Sequence, residues 1–338
     1  MKFRTEVSIK PQPDSISYKT EMLSIGSCFA DEIGQRLKDL SFPIQVNPAG
    51  IIFNPVSIAD LFQNALAAIQ NDDLIVERDG LCYHYGFHSK VFGSTKAELK
   101  KEIDEIQGKV KSKLIGGNLL MITLGTAWVY RHIQSNQIVA NCHKIPQKEF
   151  TKELLDLEDL KKLYVDLFRQ LFKVNPSLKI MLTVSPVRHV KDGVHENNLS
   201  KSVLLLLTDY LVKTFDQVNY FPAYELIVDD LRDYRFYKED LIHPSKQAVD
   251  YVFDKFSETY FSEKTKQGVS IQKAMLNLKA HRSLHFSDDA VVTEKLQKME
   301  IWIFLTLHKN AADPQKQVNK YPCATCKYLS AACGDFKS

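Results

Sequence analysis

Ser27 and Cys28 stand side by side in "MLSIGSCFADEIGQRL" (Met22 to Leu37), where an apolar run meets Gly26 and then a helical pattern. Gly26 lets the backbone turn sharply as it leaves a strand. Ser27 then falls at the amino end of a helix, where unpaired N–H groups favour negative charge and can bond an oxyanion forming beside the hydroxyl. The same position suits a serine that only caps the helix. Cys28 also has two readings: a thiol activated by the helix amino end, or a small buried hydrophobe. Either nucleophile needs a base. "KEDLIHPSKQAVDYVF" supplies one, with Asp240 and His243 three apart ahead of a helix starting near Ser245. At this spacing the carboxylate can hold one ring nitrogen of His243, fix its tautomer and stabilise the imidazolium, while the other nitrogen takes a serine proton. The bland alternative is a surface histidine before a capped helix. Strand-G-S-helix together with D-x-x-H-P-S is more specific than either part.

Other polar clusters carry paired readings too. "SPVRH" (Ser185, Arg188, His189) follows a buried apolar run, so it should line the same rim. Arg188 could hold an anionic or sugar group, or lock a loop through a carboxylate such as Asp230 or Asp233. His143 in "ANCHK" reads as structural rather than catalytic. "DDLRDYRFYKED" predicts loop-fixing ion pairs that position Asp240 and His243. "CATCKYLSAAC" holds Cys323, Cys326 and Cys333, one ligand short of a zinc set, so no metal is expected.

The chain resembles a known family at several long blocks. "SIGSCFADEIG" matches the string for which the GSCFA family is named, and "NPAGIIFNPVSIA", "TLGTAWVY", "NCHK", "SPVRHVKDGVHENNLSK" and "YFPAYELIVDDLRDYRFYKEDLIHPS" look like its further blocks. The resemblance covers about residues 20–260. It implies kinship with SGNH (GDSL-type) hydrolases, three-layer α/β/α proteins with an early nucleophilic serine and a late D-x-x-H block. By that resemblance Ser27 is the nucleophile, Asp240 the orienting acid and His243 the base. Cys28 would then contribute its backbone N–H to the oxyanion, and Gly50 in "NPAGI" matches the family's oxyanion glycine. The chain departs from the pattern in two places. No aspartate lies between Gly26 and Ser27, and the asparagine block G-x-N-D has no clean match. "TLGTAWVY" stands in its place and offers Gly125 and Thr126, with Asn54 or Asn141 as amide substitutes from elsewhere.

The elements that must position these residues alternate. Apolar residues at Ile33, Leu37 and Leu40 mark a helix face after Phe29. Asn54-Pro55 opens a second helix, and Asp79-Gly80 turns a hairpin. "STKAELKKEIDEIQGKVKSKL" is a charged helix, with Thr95 and Glu98 at capping-box spacing. "NLLMITLG" and "KIMLTVSP" read as strands covered on both faces. "TKELLDLEDLKKLYVDLFRQLFKV" reads as one long helix, "ENNLSKSVLLLLTDYLVKTF" as another, and "VNYFPAYELIVDD" as carrying a strand. The alternation from about residue 22 to 260 predicts an α/β fold with a mainly parallel central sheet, whose ligands bind beyond the strands' carboxyl ends. Residues 1–261 are read as this domain. Residues 262–338 are read as a helical carboxyl-terminal extension, "TKQGVSIQKAMLNLKAH" and "DAVVTEKLQKMEIWIFLTLHKN", with a cysteine-containing tail.

Composition bounds the function. Net charge is +3, which gives no electrostatic case for nucleic acid, although 262–338 holds 12 Lys+Arg against 7 Asp+Glu. The longest apolar run, Val203 to Leu207, is far below the ~20 residues of a membrane span. "MKFRTEVSIKPQPDSISYK" has no apolar core of signal-peptide length, and the cysteines are unevenly spaced, so a cytoplasmic, reducing compartment is expected. The expected function is a serine ester hydrolase or acyltransferase on a small O-acyl ester, with an acetylated carbohydrate as one candidate and no cofactor. A catalytically silent binding protein that docks through the basic helices is the alternative. A cysteine hydrolase would need Cys28, not Ser27, to face His243.

Overall fold

The structure is a computed structural model that describes residues 4–12 and 15–280. In chain order the elements are β1 (Met22–Gly26), α1 (Cys28–Asp39), β2 (Ile44–Val46), α2 (Pro55–Ala67), β3 (Ile75–Arg78), β4 (Leu81–His84), α3 (Lys96–Gly116), β5 (Leu119–Leu124), β6 (Trp128–His132), β7 (Gln137–Val139), β8 (Phe150–Leu154), α4 (Leu157–Val174), β9 (Lys179–Val184), α5 (Val194–Thr214), β10 (Val218–Tyr220), α6 (Ala223–Glu225), α7 (Lys246–Tyr260) and α8 (Glu263–Ala280). The described residues form two compact units, 4–12 with 20–260, and 15–19 with 261–280.

The first unit is built on a five-stranded parallel sheet of order β10-β9-β5-β1-β2. Its strands alternate between two covered faces. Leu23, Ile25, Leu120, Ile122, Leu124, Ile180, Leu182 and Val184 join the main apolar cluster with residues of α2, α3, α4 and α5. Ser24, Met121, Thr123, Met181 and Thr183 point the other way, toward Phe29 and Ile33 of α1 and Phe256 of α7. This is a three-layer α/β/α arrangement. It explains why the central strands carry apolar residues on both faces, since neither face meets water.

From β1 the chain crosses to β2 on one side, then returns past β1 to β5 on the other. The carboxyl ends of β1 and β5 therefore form a topological switch point, where such sheets open a crevice. Ser27 follows β1 directly, and Gly125 and Thr126 follow β5.

One element reading needs correction. The stretch read as one long helix from Thr151 holds a strand first. Phe150–Leu154 pairs antiparallel with β6, in a three-stranded sheet of order β7-β6-β8. The helix begins at Leu157, where the Asp156 side chain accepts from the N–H groups of Glu158 and Asp159. Leu154 and Leu155 continue the helical apolar spacing, which is why periodicity ran the two together. The strand that "VNYFPAYELIVDD" was expected to carry is β10, Val218–Tyr220; beyond it Ala223–Glu225 and Leu226–Asp230 are helical, the second as a wide π turn.

Within the second unit, Ile16 bridges Phe261, both buried, and the Ser262 hydroxyl caps α8 by accepting from Thr265 N–H. The helix expected over Asp289–Asn310 and the cysteine tail lie outside the described residues. No helix among the described residues is long and apolar enough to cross a membrane.

Candidate active site

Ser27 sits where β1 must leave the sheet close beside β5. Gly26 has φ +146°, and a Cβ there would stand 2.2 Å from the Thr123 carbonyl oxygen, so a side chain has no room. Gly26 N–H donates to Asn47 Oδ1 at 2.9 Å, and Asn47 Nδ2 donates to Asp31 Oδ1 at 3.2 Å. Ser27 caps α1: its Oγ accepts from Phe29 N–H at 3.2 Å and donates to Ser185 Oγ at 3.0 Å. Ser27 is 2% exposed and Ser185 0%.

Asp240 and His243 lie on the loop before α7. Asp240 Oδ2 is 2.7 Å from His243 Nδ1, while Oδ1 accepts from the N–H groups of Ile242 and His243, both at 2.9 Å. These bonds, led by the His243 N–H, hold the Asp240 carboxyl well below the ordinary carboxylate range. The Asp240 contact puts the ring proton on Nδ1. Nε2 is left as an acceptor without a partner among the described residues. Leu241 between them has φ +55°, a costly conformation for a branched side chain, kept by the two backbone bonds to Asp240.

This loop is tied to both sides of the Ser27–Ser185 hydrogen bond. Toward α1, Lys238 Nζ is 3.7 Å from Glu32 Oε1, and Arg36 pairs with Asp250 of α7. Toward the segment after β9, Arg188 N–H donates to Ile242 O at 3.3 Å and Arg188 Nη1 to Leu241 O at 3.4 Å. The loop closes on itself through Lys238 N–H to His243 O at 2.7 Å. Ser27 and Ser185 thus share a buried hydrogen bond, and the oriented, half-exposed His243 ring stands on a loop tied to both of their segments, without a hydrogen bond to Ser27 itself.

Comparison with known proteins decides the family. The GSCFA family model matches residues 21–256, which contain every group just described. The chain belongs to the GSCFA family. No curated protein and no solved structure matches.

Elsewhere in this GSCFA chain, the expected oxyanion donors are largely engaged. Gly50 N–H donates to Asn47 O at 2.8 Å and Gly125 N–H to Phe53 O at 2.7 Å, so neither amide is spare. Thr126 Oγ1 lies 2.9 Å from Ser200 Oγ and accepts from Trp128 N–H. Asn54 caps α2, and Asn141 Oδ1 accepts from His143 N–H; both amides are structural. Cys28 is the first residue of α1, so its N–H is among the unpaired donors at the helix start. Its thiol is pushed up by burial, the opposite of activation. Arg188 does brace a loop, but through carbonyls rather than carboxylates: Asp230 bonds Tyr251 and lies near Arg4, and Asp233 pairs with Arg235. His143 is 1% exposed, bonds His84 O at 2.9 Å and stacks on Tyr83, a structural placement.

Lys201 and His189 are the residues that motif reading undervalued. Lys201 is 1% exposed on α5, and its Nζ donates to Gly125 O and Ser185 O, each at 2.7 Å. Burial pushes it down to about 7. His189 packs against Phe53, and burial and Lys201 push it down to about 4, so it is neutral at pH 7; its buried Nε2 has no partner among the described residues. The signal was present in periodicity. Asn197, Ser200, Lys201 and Thr208 fall on the same buried stripe of α5 as Leu204, Leu207 and Leu211, and buried polar groups need partners. Among the described residues no group of His, Cys, Asp and Glu could hold a metal ion.

Proposed function

We propose that this GSCFA-family chain is a serine ester hydrolase or acyltransferase acting on a small O-acyl ester, an acetylated carbohydrate being one such substrate. The observation that carries the reading is the loop holding the Asp240–His243 pair, with Nε2 open, braced against both segments that meet at Ser27 and Ser185. In the reaction the Ser27 hydroxyl turns from Ser185 to His243. Oγ attacks the acyl carbonyl while Nε2 takes its proton, and Asp240 stabilises the imidazolium. The oxyanion is met by the N–H groups opening α1, that of Cys28 first. The imidazolium then protonates the departing alcohol oxygen, leaving an acyl group on Ser27. Water or another hydroxyl, deprotonated by His243, receives the acyl group and frees the serine. The raised thiol of Cys28 argues against the cysteine-hydrolase reading.

One specific set of observations favours a second reading, a silent binding protein. Ser27 is buried and bonded to Ser185 rather than His243, and the Gly50 and Gly125 amides are engaged. Fluorophosphonate labelling separates the two. An active serine gives labelling that is lost in Ser27→Ala and His243→Ala but kept in Cys28→Ala. A well-folded wild-type chain that takes no label sinks the hydrolase reading and leaves the binding one.

A further inference from the structure

We propose that Lys201 is a positioning residue for Ser27, acting through Ser185; the proposal rests on the reading of Ser27 as nucleophile. Lys201 reaches from the buried face of α5 to two carbonyls at the carboxyl ends of neighbouring central strands, Gly125 O after β5 and Ser185 O after β9, each at 2.7 Å. It thereby clamps the backbone that carries the Ser185 hydroxyl. That hydroxyl receives two hydrogen bonds, from Ser27 Oγ at 3.0 Å and from Val187 N–H at 3.3 Å. The chain Lys201–Ser185–Ser27 thus sets where the Ser27 oxygen stands.

The groups facing Lys201 make a merely structural clamp a poor account. They are the Cys28 thiol from α1, His189 from the segment after β9, and the Tyr224 ring of α6, 6.0 Å away. Burial raises Cys28 and Tyr224 and lowers His189, so all three are uncharged at neutral pH. No carboxylate pairs with Lys201 among the described residues. An unbalanced buried ammonium is an expensive way to hold two carbonyls, which an uncharged donor would also satisfy. Burial leaves Lys201 on the edge of losing its proton at neutral pH, and the negative charge that forms when Ser27 loses its proton, or when the oxyanion develops on the adjoining carbon, is what keeps that proton on Nζ. Two donors of Lys201 hold the strands, and its charge favours the reacting state over the resting one.

The test uses the full chain and two readouts. The first is aryl ester hydrolysis by wild type, Lys201→Met, Ser185→Ala and the double variant. Misalignment of the nucleophile predicts a fall in kcat of about 10²-fold for Lys201→Met with KM little changed. Because both residues act along one chain, their losses should not add in the double variant. A folded Lys201→Met chain with near wild-type kcat, or additive losses, overturns the proposal. The second readout needs no ester turnover. In a Cys28→Ala background, Ser27→Cys places a thiol at the site, and its iodoacetamide alkylation is followed against pH by peptide mass spectrometry. Adding Lys201→Met should move the half-maximal pH up by about one unit. An unmoved profile overturns the proposal. A moved profile in a chain whose wild type turns over no ester supports the Lys201 link and discards the hydrolase reading alone. If Lys201→Met does not fold, Ser185→Ala must give the upward shift and Ser185→Thr, which keeps an Oγ, must restore it; failure of either overturns the proposal.

Discussion

Replacing Lys201 by Met should change how stability depends on pH, and the size of the change follows from its burial. A lysine in an unfolded chain gives up its proton near pH 10.4. In the folded chain burial brings this down to about 7. Below pH 7 both states hold the proton, and the folded state bears the whole cost of a buried ammonium. Between the two values the unfolded state holds the proton and the folded state does not, so stability rises with pH. Above the unfolded value the penalty is gone. The slope approaches 1.36 kcal/mol per pH unit, and integration from pH 7 to 9 gives a gain of about 2 kcal/mol. The buried tyrosines Tyr18, Tyr164, Tyr220 and Tyr260 are all raised, so they oppose this trend as their unfolded forms ionise near pH 10. They set the upper end of the usable range and are common to both proteins. The assay is urea unfolding of wild type and Lys201→Met at pH 6, 7, 8 and 9, followed by circular dichroism and tryptophan fluorescence. Wild-type stability minus that of the variant should stay nearly level below pH 7 and grow by about 2 kcal/mol from pH 7 to 9. Parallel curves would refute the reasoning, because they would mean that the folded chain keeps the Lys201 proton throughout.

Gly26→Ala should destabilise the chain by about 3 kcal/mol or more, since the new Cβ meets the Thr123 carbonyl at 2.2 Å and the φ of +146° suits glycine alone; a loss under 1 kcal/mol in urea titration would contradict this. Asp240→Asn should leave the chain folded and lower ester turnover by about 10³–10⁴-fold, because the wrong tautomer of His243 is then favoured; unchanged kcat would remove Asp240 from the reaction. Asp240 is held far down, first by the His243 N–H, so it stays ionised through the mildly acidic range, and no loss of activity across about pH 4–6 should trace to its protonation; a loss there that disappears in Asp240→Asn would contradict this. Cys28→Ala should retain ester turnover within about threefold, and iodoacetamide at pH 7 should modify Cys28 only slowly, burial having raised its thiol; rapid inactivation by the reagent would revive a cysteine mechanism.

The sheet was legible because its strands are buried on both faces, which writes them as mostly apolar runs without alternation: Leu119–Leu124 and Lys179–Val184 are found where "NLLMITLG" and "KIMLTVSP" put them. Half-exposed elements were harder. Phe150–Leu154 carries apolar residues at both ends of a polar middle, a pattern that continues smoothly into the helix after it. The Asp240–His243 contact was readable because it is local: three residues of spacing and one turn of loop bring the groups together. The Ser27–Ser185 bond was not, because a separation of 158 residues closes only through the parallel pairing of β1, β5 and β9. Lys201 was hidden for a different reason. A lysine is expected at the surface, and only its place on the apolar stripe of α5 marks it as buried.

The two readings of Ser27, cap and nucleophile, are compatible in the folded chain. As the cap, its Oγ takes the Phe29 N–H and is thereby fixed at the positive end of α1. A hydrogen bond accepted from a backbone amide favours the deprotonated oxygen over the hydroxyl, as does a nearby ammonium. The proton meanwhile points to Ser185, a neutral acceptor that cannot keep it. Nothing in that arrangement removes the proton; removal requires His243, whose Nε2 is open and whose loop is held to α1 by Lys238–Glu32. Cutting that tether with Glu32→Gln should therefore lower ester kcat severalfold while the cap, the Ser185 bond and urea stability stay close to wild type, since an exposed ion pair is worth about 0–1 kcal/mol. Unchanged kcat would show that the loop reaches Ser27 without the tether, and that the Arg188 contacts to Leu241 and Ile242 alone suffice to place His243.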